Sequence, residues 1–435
     1  MRLLIKNGRI VDPGSGRDAH ADILVCDTII EKVGRNLRAR PERVIDASGL
    51  VVTPGFIDMH VHLREPGYEE KETIRTGSMS GAKGGFTSLM PMANTNPPID
   101  TAGMVEFVLT RAKETAVVKL FPIAAVSKGL AGKELTEAGE LKEAGAVALS
   151  DDGNPIEDSE LMRRALEYAG MFGLPIIVHE EDPDLAGNGS MNEGLNSTTL
   201  GLRGIPRAAE EVMVARDLSI AELTRGRVHF AHISTTRAVD LIRQAKQRGL
   251  AVTAETAPHY FSLTDDAVKT YNTNAKMKPP LREADDIAAI KEGLKDRTLD
   301  VIATDHAPHT VAEKEVEFEL APFGIVGLET ALPLVLTHLV EPGVLSLSEA
   351  IAKLTVNPAR IVGLPLGELR EGWPADIAIF DPDAEIVVNA SKFASLGRNT
   401  PFDGFTLTGR VMYTIVDGTV VVDEGELVRS PDQVR

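Results

Sequence analysis

Short apolar runs, separated by polar and amphipathic stretches, organise the middle of the chain. Gly49–Ile57, Gly85–Pro91, Lys119–Val126, Ala146–Ser150, Leu174–Val178, Arg227–Ala231, Leu250–Ala254 and Leu299–Ala303 each have the length and bounding residues of a buried strand. Between them lie segments with helical spacing of apolar residues, among them Asp158–Ala169 and Arg207–Leu218. Eight strands alternating with helices over residues 54–365 predict a (β/α)8 TIM barrel. An open doubly wound sheet is the alternative. It would carry a Gly-x-Gly-x-x-Gly turn after its first strand, and none stands there.

The two ends of the chain have a different rhythm. Leu3–Ile5, Ile10–Val11, Ile23–Val25 and Ile29–Ile30 are brief apolar runs broken by Asn7-Gly8 and Asp12-Pro13-Gly14. After the barrel, Asp376–Asp381, Glu385–Val388, Val411–Val416 and Thr419–Val422 repeat the style, and Asp417-Gly418 between two apolar runs is a strong hairpin signal. The segments 1–53 and 366–435 are therefore expected to pair into one small β-sandwich domain around the barrel segment 54–365.

Composition narrows the class. The chain has 435 residues, 43% of them hydrophobic, enough to build a large core. Its 46 Lys+Arg against 64 Asp+Glu give a formal charge of −18, with no basic cluster, which argues against nucleic acid and anionic membrane surfaces as partners. Cys26 is the only cysteine, so neither an internal disulfide nor a cysteine metal cage is available. The start of the chain is too polar for a secretory signal, and no apolar run reaches membrane-span length. The expectation is a soluble cytoplasmic protein acting on a small molecule.

Active sites of such barrels lie at the C-terminal ends of the strands. Strand one ends in His60-Val61-His62, whose alternate spacing puts both imidazoles on one face. Strand four ends in Ser150-Asp151-Asp152-Gly153, strand five in His179-Glu180-Glu181, strand six in His232 and strand eight in Thr304-Asp305-His306. A lone histidine is usually a core or surface residue, but four His and two Asp meeting at one mouth exceed what chance places there. They also exceed what one ion takes, so two metal ions roughly 3.5–4 Å apart are expected. One would be held by His60, His62 and Asp305, the other by His179 and His232. Asp151 or Asp152 would bridge them with a shared hydroxide, and Asp152 is chosen because it shares strand parity with the small residues Ala148 and Ser150. His229, of opposite parity to His232, is expected to face the surrounding helices. His306 should turn away from Asp305, and His259 stands at the height of a supporting residue. His20 and His338 lie outside the strand-end set.

Taken together, His60-Val-His-Leu-Arg-Glu-Pro-Gly67, Met90-Pro-Met-Ala-Asn94, Ser150-Asp-Asp-Gly153, Thr304-Asp-His-Ala-Pro-His309 and Ala321-Pro-Phe-Gly324 resemble the type I dihydroorotases of the amidohydrolase superfamily. So does the tail from Asn357-Pro-Ala359 through Gly367 and Gly372 to Asp376, and the resemblance spans essentially the whole chain. It implies reversible closure of N-carbamoyl-L-aspartate to L-dihydroorotate, zinc as the metal, and a homodimer. Asp305 would then serve as proton shuttle as well as ligand. Arg64 would bind the substrate carboxylate, helped by Asn94 and His309, and Phe323-Gly324 would offer backbone contacts to the ring. His62, Leu63 and Arg64 would line the same pocket. Lys278 departs from the pattern: the family commonly has Asn at that position, and a lysine donates without accepting, so it can meet a carbonyl or carboxylate but not read a ring amide both ways.

Two other readings compete. A sibling cyclic amidase acting on hydantoins, dihydropyrimidines or allantoin usually bridges its metals with a carboxylated lysine from strand four, and that strand end has none here. A non-catalytic partner of aspartate carbamoyltransferase would have lost ligands, whereas all six positions are filled; an active enzyme can also bind that transferase.

Overall fold

The computed structural model describes residues 2–428. The chain opens with β1 (Arg2–Asp12), β2 (Arg17–Cys26), β3 (Ile29–Gly34), β4 (Arg43–Asp46) and β5 (Val51–Pro54). Asn7-Gly8 is not the turn its composition suggests. It is a bulge inside one continuous strand: Asn7 takes φ +65°, its N–H reaches Asp22 Oδ1 at 3.1 Å and its amide reaches Asp46 Oδ1 at 2.9 Å, so neighbouring strands satisfy the interruption.

The barrel follows. Its strands are β6 (Phe56–Val61), β7 (Phe86–Pro91), β8 (Lys119–Leu120) with β9 (Ile123–Ala124), and β10 (Ala148–Leu149). Next come β11 (Ile176–Val178), an excursion with the short pair β12 (Met191–Asn192) and β13 (Gly204–Ile205), then β14 (Val228–Phe230), β15 (Val252–Thr256) and β16 (Val301–Ile302). All pairs within the barrel are parallel. A three-stranded arc, β6-β7-β8, and a six-stranded arc, β9 to β16, share the third barrel strand, which is split at Phe121-Pro122 into β8 and β9. The ring closes where strand eight meets strand one: Val61 pairs with His306, and His62 N donates to His306 O at 2.8 Å. Asp58 reinforces the seam by accepting from Thr304 Oγ1 at 2.6 Å and from Thr304 N at 3.2 Å. The expected eight-stranded barrel is thus present.

Ile57, Met90, Ile123, Ala148, Ile177, Ala231 and Val301, drawn from strand after strand, form one buried cluster with Ala359 and Ile361 of the helix Val356–Val362. These residues precede the polar strand ends, so the barrel is plugged beneath its mouth rather than open. A much larger apolar cluster lies between the strands and their helices. Among the described residues, no helix is long and apolar enough to cross a membrane.

The last strands, β17 (Ile377–Val387), β18 (Thr406–Val416), β19 (Thr419–Asp423) and β20 (Glu426–Leu427), return to the first. β17 pairs antiparallel with β5, making one nine-stranded sheet from both segments. The Asp417-Gly418 hairpin is present with both residues at positive φ, 44° and 72°, as a two-residue primed turn requires. A Cβ on Gly418 would stand 1.9 Å from Asp27 O, so only glycine lets this turn rest against the β2–β3 turn. The far ends of the sheet therefore meet around a core of its own, including Leu3, Ile23, Ile379 and Ile415. This is the sandwich-like terminal β domain that the two ends of the chain predict.

Candidate active site

The strand ends bring the expected donors together. Asp152 sits at the centre: its Oδ1 lies 3.4 Å from His60 Nε2, 3.5 Å from His232 Nε2 and 3.6 Å from His179 Nδ1, and its Oδ2 lies 3.5 Å from His62 Nε2. Asp305 Oδ1 lies 3.1 Å from His62 Nε2 and 3.5 Å from His60 Nε2. Among the described residues, two donor groups are compact enough to hold an ion, His60-His62-Asp305 and His60-Asp152-His232, with all donor atoms of each within 4.8 Å.

The choice between the two aspartates of strand four is visible in their partners. Asp151 turns away and is consumed by the loop after the preceding strand, accepting from Val126 N at 2.8 Å, from Ser127 N at 3.0 Å and from Ser127 Oγ. Asp152 touches all four histidines. Burial alone would raise its carboxyl, but the His60 charge and the closeness of the His179 and His232 imidazoles hold it well below the usual range. Asp305 is held down in the same way, by His60 and His62 against burial. Both carboxylates are thus ionised, the form that binds a metal.

His60 Nε2 and Asp152 Oδ1 are buried and have no hydrogen-bond partner among the described residues. Buried polar atoms are ordinarily satisfied, so their convergence fits a cation at the centre of the cluster. The other nitrogens of the same rings are engaged as metal-binding histidines require. His60 Nδ1 donates to Glu255 Oε1 at 2.6 Å, and His62 Nδ1 donates to Asn94 Oδ1 at 2.9 Å, which leaves both Nε2 atoms facing the cluster. Asn94 in turn donates to Asp152 O at 3.2 Å.

No sequence motif marks Glu255. Its signal is a carboxylate inside an otherwise apolar strand. It is 1% exposed, held at about 2 by the imidazole charges and hydrogen bonds that outweigh burial, and its Oε2 accepts from His229 Nε2 at 3.1 Å. His229 therefore corrects the expectation that it faces the helices: it bonds Thr253 and Glu255 on the adjacent strand and braces His60 from behind. The parity count failed because β14 ends at Phe230 and His232 takes φ +32°, so alternation does not carry through to it. Glu255→Ala should lower metal affinity about 10–100-fold through the freed His60 ring, read by competition with a chelator. An unchanged affinity would leave Glu255 with packing alone.

A cavity of about 320 Å³ opens onto the cluster, lined by His62, Arg64, Asn94, Asp152, Gly153, His179, His232, Lys278, Asp305, Ala307, His309, Phe323 and Gly324. Arg64, at φ +60°, uses Nε to donate to Pro308 O at 3.2 Å and forms no ion pair among the described residues. Lys278 reaches the cavity, but its ammonium pairs with Glu181 Oε1 at 2.6 Å and lies 5.4 Å from the centre of the Phe323 ring. His309 donates from Nε2 to Phe323 O at 2.8 Å; burial, with the charges of Arg64 and Lys314, lowers it to about 3. Its ring is neutral and its one N–H holds Phe323, so here it steadies the wall instead of offering a charge. Leu63 is a correction to the expected pocket: it is buried in the large core and packs on Gly77, where a Cβ would stand 2.5 Å from its Cδ2. It has the parity opposite to His62 and Arg64, so strict alternation sends it away from the cavity. His306 turns away from Asp305 as expected, to Glu72 Oε2 at 3.3 Å. His259 is buried with Nε2 unpartnered and is lowered to about 4 by burial.

A barrel that gathers these donors at its strand ends and carries a sheet made from both ends of its chain has the architecture of an amidohydrolase. A family model described as "Amidohydrolase family" matches residues 200–422, and one described as "Dihydro-orotase-like" matches residues 49–238. Curated proteins named dihydroorotase are similar over nearly the whole chain. The one from Ruminiclostridium cellulolyticum is 55% identical over 97% of this chain and 99% of its own, and that from Geotalea daltonii 56% over the same shares. Among solved structures, L-hydantoinase (dihydropyrimidinase) from Arthrobacter aurescens superposes with a TM-score of 0.89 at 28% identity, covering 98% of this chain and 97% of that one. The chain belongs to the dihydroorotase family.

Proposed function

We propose that the protein is a zinc-dependent dihydroorotase, interconverting N-carbamoyl-L-aspartate and L-dihydroorotate plus water. The observation that carries this reading is the cavity itself. Its lining combines the His/Asp cluster with Arg64, a guanidinium that has no carboxylate partner among the described residues. The substrate has matching parts, an amide to be made or broken and a carboxylate to be held. Relatives named dihydroorotase at 53–56% identity support the same substrate, while the hydantoinase likeness at 28% supports the fold and the amide chemistry.

His60, His62 and Asp305 would hold one zinc ion, and His179 and His232 a second, with Asp152 between them. Zinc bound there supplies Lewis-acid polarisation of a carbonyl and makes water ionisable at neutral pH. The remaining work belongs to the chain. In ring opening, the Asp305 carboxylate accepts the proton lost by the attacking water. It returns that proton to the ring nitrogen as the C–N bond breaks and the C–O bond forms. Ring closure reverses each transfer. Arg64 binds the carboxylate through its terminal nitrogens, since Nε is committed to Pro308. Asn94 holds His62 in the tautomer that leaves Nε2 free, and His309 keeps Phe323-Gly324 against the ring. Lys278, paired with Glu181, borders the pocket as a donor only.

The test is ring opening of L-dihydroorotate by the purified protein before chelation, after chelation and after zinc is restored. Activity should vanish on chelation and return with zinc. A zinc-loaded protein that opens hydantoin or dihydrouracil but not dihydroorotate would shift the reading to the sibling amidases.

A further inference from the structure

Between β17 and β18 the chain leaves the terminal sheet and crosses to the barrel mouth, tied down as it goes. Glu329 Oε1 accepts from Ala394 N at 2.7 Å, and Glu72 accepts from Leu396 N at 3.2 Å and from Ser395 Oγ. Gly397 then passes so close to strand eight's loop that a Cβ there would stand 2.7 Å from Pro308 Cβ. This crossing ends in Asn399, which is 3% exposed.

The side-chain amide of Asn399 is fully used. Its Oδ1 accepts from His309 N at 3.1 Å, and its Nδ2 donates to Ala307 O at 3.0 Å and to Gly324 O at 3.0 Å. Its own carbonyl accepts from Val326 N at 2.9 Å. Ala307, His309 and Gly324 all line the cavity, whereas Asn399 does not. It touches none of the six metal-binding positions. Residue 399 therefore ties together the two runs, 307–309 and 324–326, that form one side of the pocket, beside two direct ties between them, Ala307 N to Ile325 O at 2.7 Å and His309 Nε2 to Phe323 O at 2.8 Å.

We propose that Asn399 is a positioning residue for substrate binding, setting the spacing between the loop on which Arg64 rests and the backbone that faces the ring. The inference rests on the dihydroorotase reading. Arg64 is anchored on Pro308, within one of the joined runs, and Gly324 is in the other, so the amide adds two donors and an acceptor to the direct ties that hold the carboxylate site at its distance from the ring site. A rigid ligand carrying both groups is sensitive to that distance, because binding and orientation are lost with displacements well under a hydrogen-bond length.

The experiment measures KM, kcat and zinc content for wild type, Asn399→Ala, Asn399→Asp and Gly397→Ala. The aspartate keeps the acceptor for His309 N and replaces both donors with lone pairs facing carbonyls. Gly397→Ala keeps the amide and displaces its carrier. All three should raise KM for dihydroorotate about tenfold or more, with kcat within about threefold and zinc content unchanged, as expected when only ground-state and transition-state binding are lost together. An unchanged KM, or a kcat and zinc loss at constant KM, overturns the inference. If Asn399→Ala does not fold, Gly397→Ala decides on the same KM criterion. A zinc-loaded wild type without dihydroorotase activity overturns the functional reading and this inference with it, whereas an active wild type with unaffected variants overturns the inference alone.

Discussion

Asp305→Asn should yield a folded protein that still binds zinc but turns over about a hundred- to ten-thousandfold more slowly, the range that positioned proton transfer contributes. The substitution suits the site. Asp305 sits at φ +49°, a conformation that asparagine adopts more readily than most residues, so the backbone has no new reason to move. The amide oxygen can still face His62 Nε2, where Asp305 Oδ1 now lies at 3.1 Å. What disappears is the negative charge that His60 and His62 keep ionised against burial, and with it the acceptor proposed for the water's proton. Metal content and kcat measured on the same preparation separate the two roles. A near-wild-type rate in a zinc-loaded variant would remove Asp305 as the shuttle.

Arg64→Ala should act on binding instead. Loss of a paired, partly buried carboxylate contact costs about 2–5 kcal/mol, so KM should rise about thirtyfold or more. Alanine at φ +60° is no more strained than arginine, since both carry a Cβ, so backbone strain does not confound the comparison. Arg64→Lys keeps a charge but loses the planar fork, and should recover only part of the affinity. A variant that bound dihydroorotate as wild type does would place the carboxylate elsewhere in the cavity, with Lys278 the next cation to examine.

Much of this was legible because barrel strands are short, apolar and punctuated. Period-two spacing places His60 and His62 on one face, and the topology then directs attention to the same end of every other strand. The choice of Asp152 over Asp151 also followed from alternation, and the partners of the two residues agree with it. The failures have separate physical origins. Alternation holds only while the backbone stays extended, and β14 ends at Phe230, before the left-handed turn at His232; parity counted back from His232 therefore misplaced His229. Asn7-Gly8 has turn chemistry, but the pairing of β1 with β2 on either side of it turns the break into a bulge. Glu255 and Asn399 were missed for another reason. Each acts on a residue far away in sequence, and no local pattern encodes a hydrogen bond between Asn399 and Gly324.

The pairing of β5 with β17 also dictates an order of events during synthesis. The first strands leave the ribosome early, yet β5 finds its antiparallel neighbour only after the whole barrel has been made. Until then its backbone edge is unpaired and the apolar face of the early strands is uncovered, the condition under which nascent chains associate wrongly. Asn399 emerges in the same late stretch. A ribosome-bound chain ending before residue 377 therefore already carries every histidine and aspartate of the cluster while its first sheet still lacks its partner and the barrel mouth the crossing that ends in Asn399.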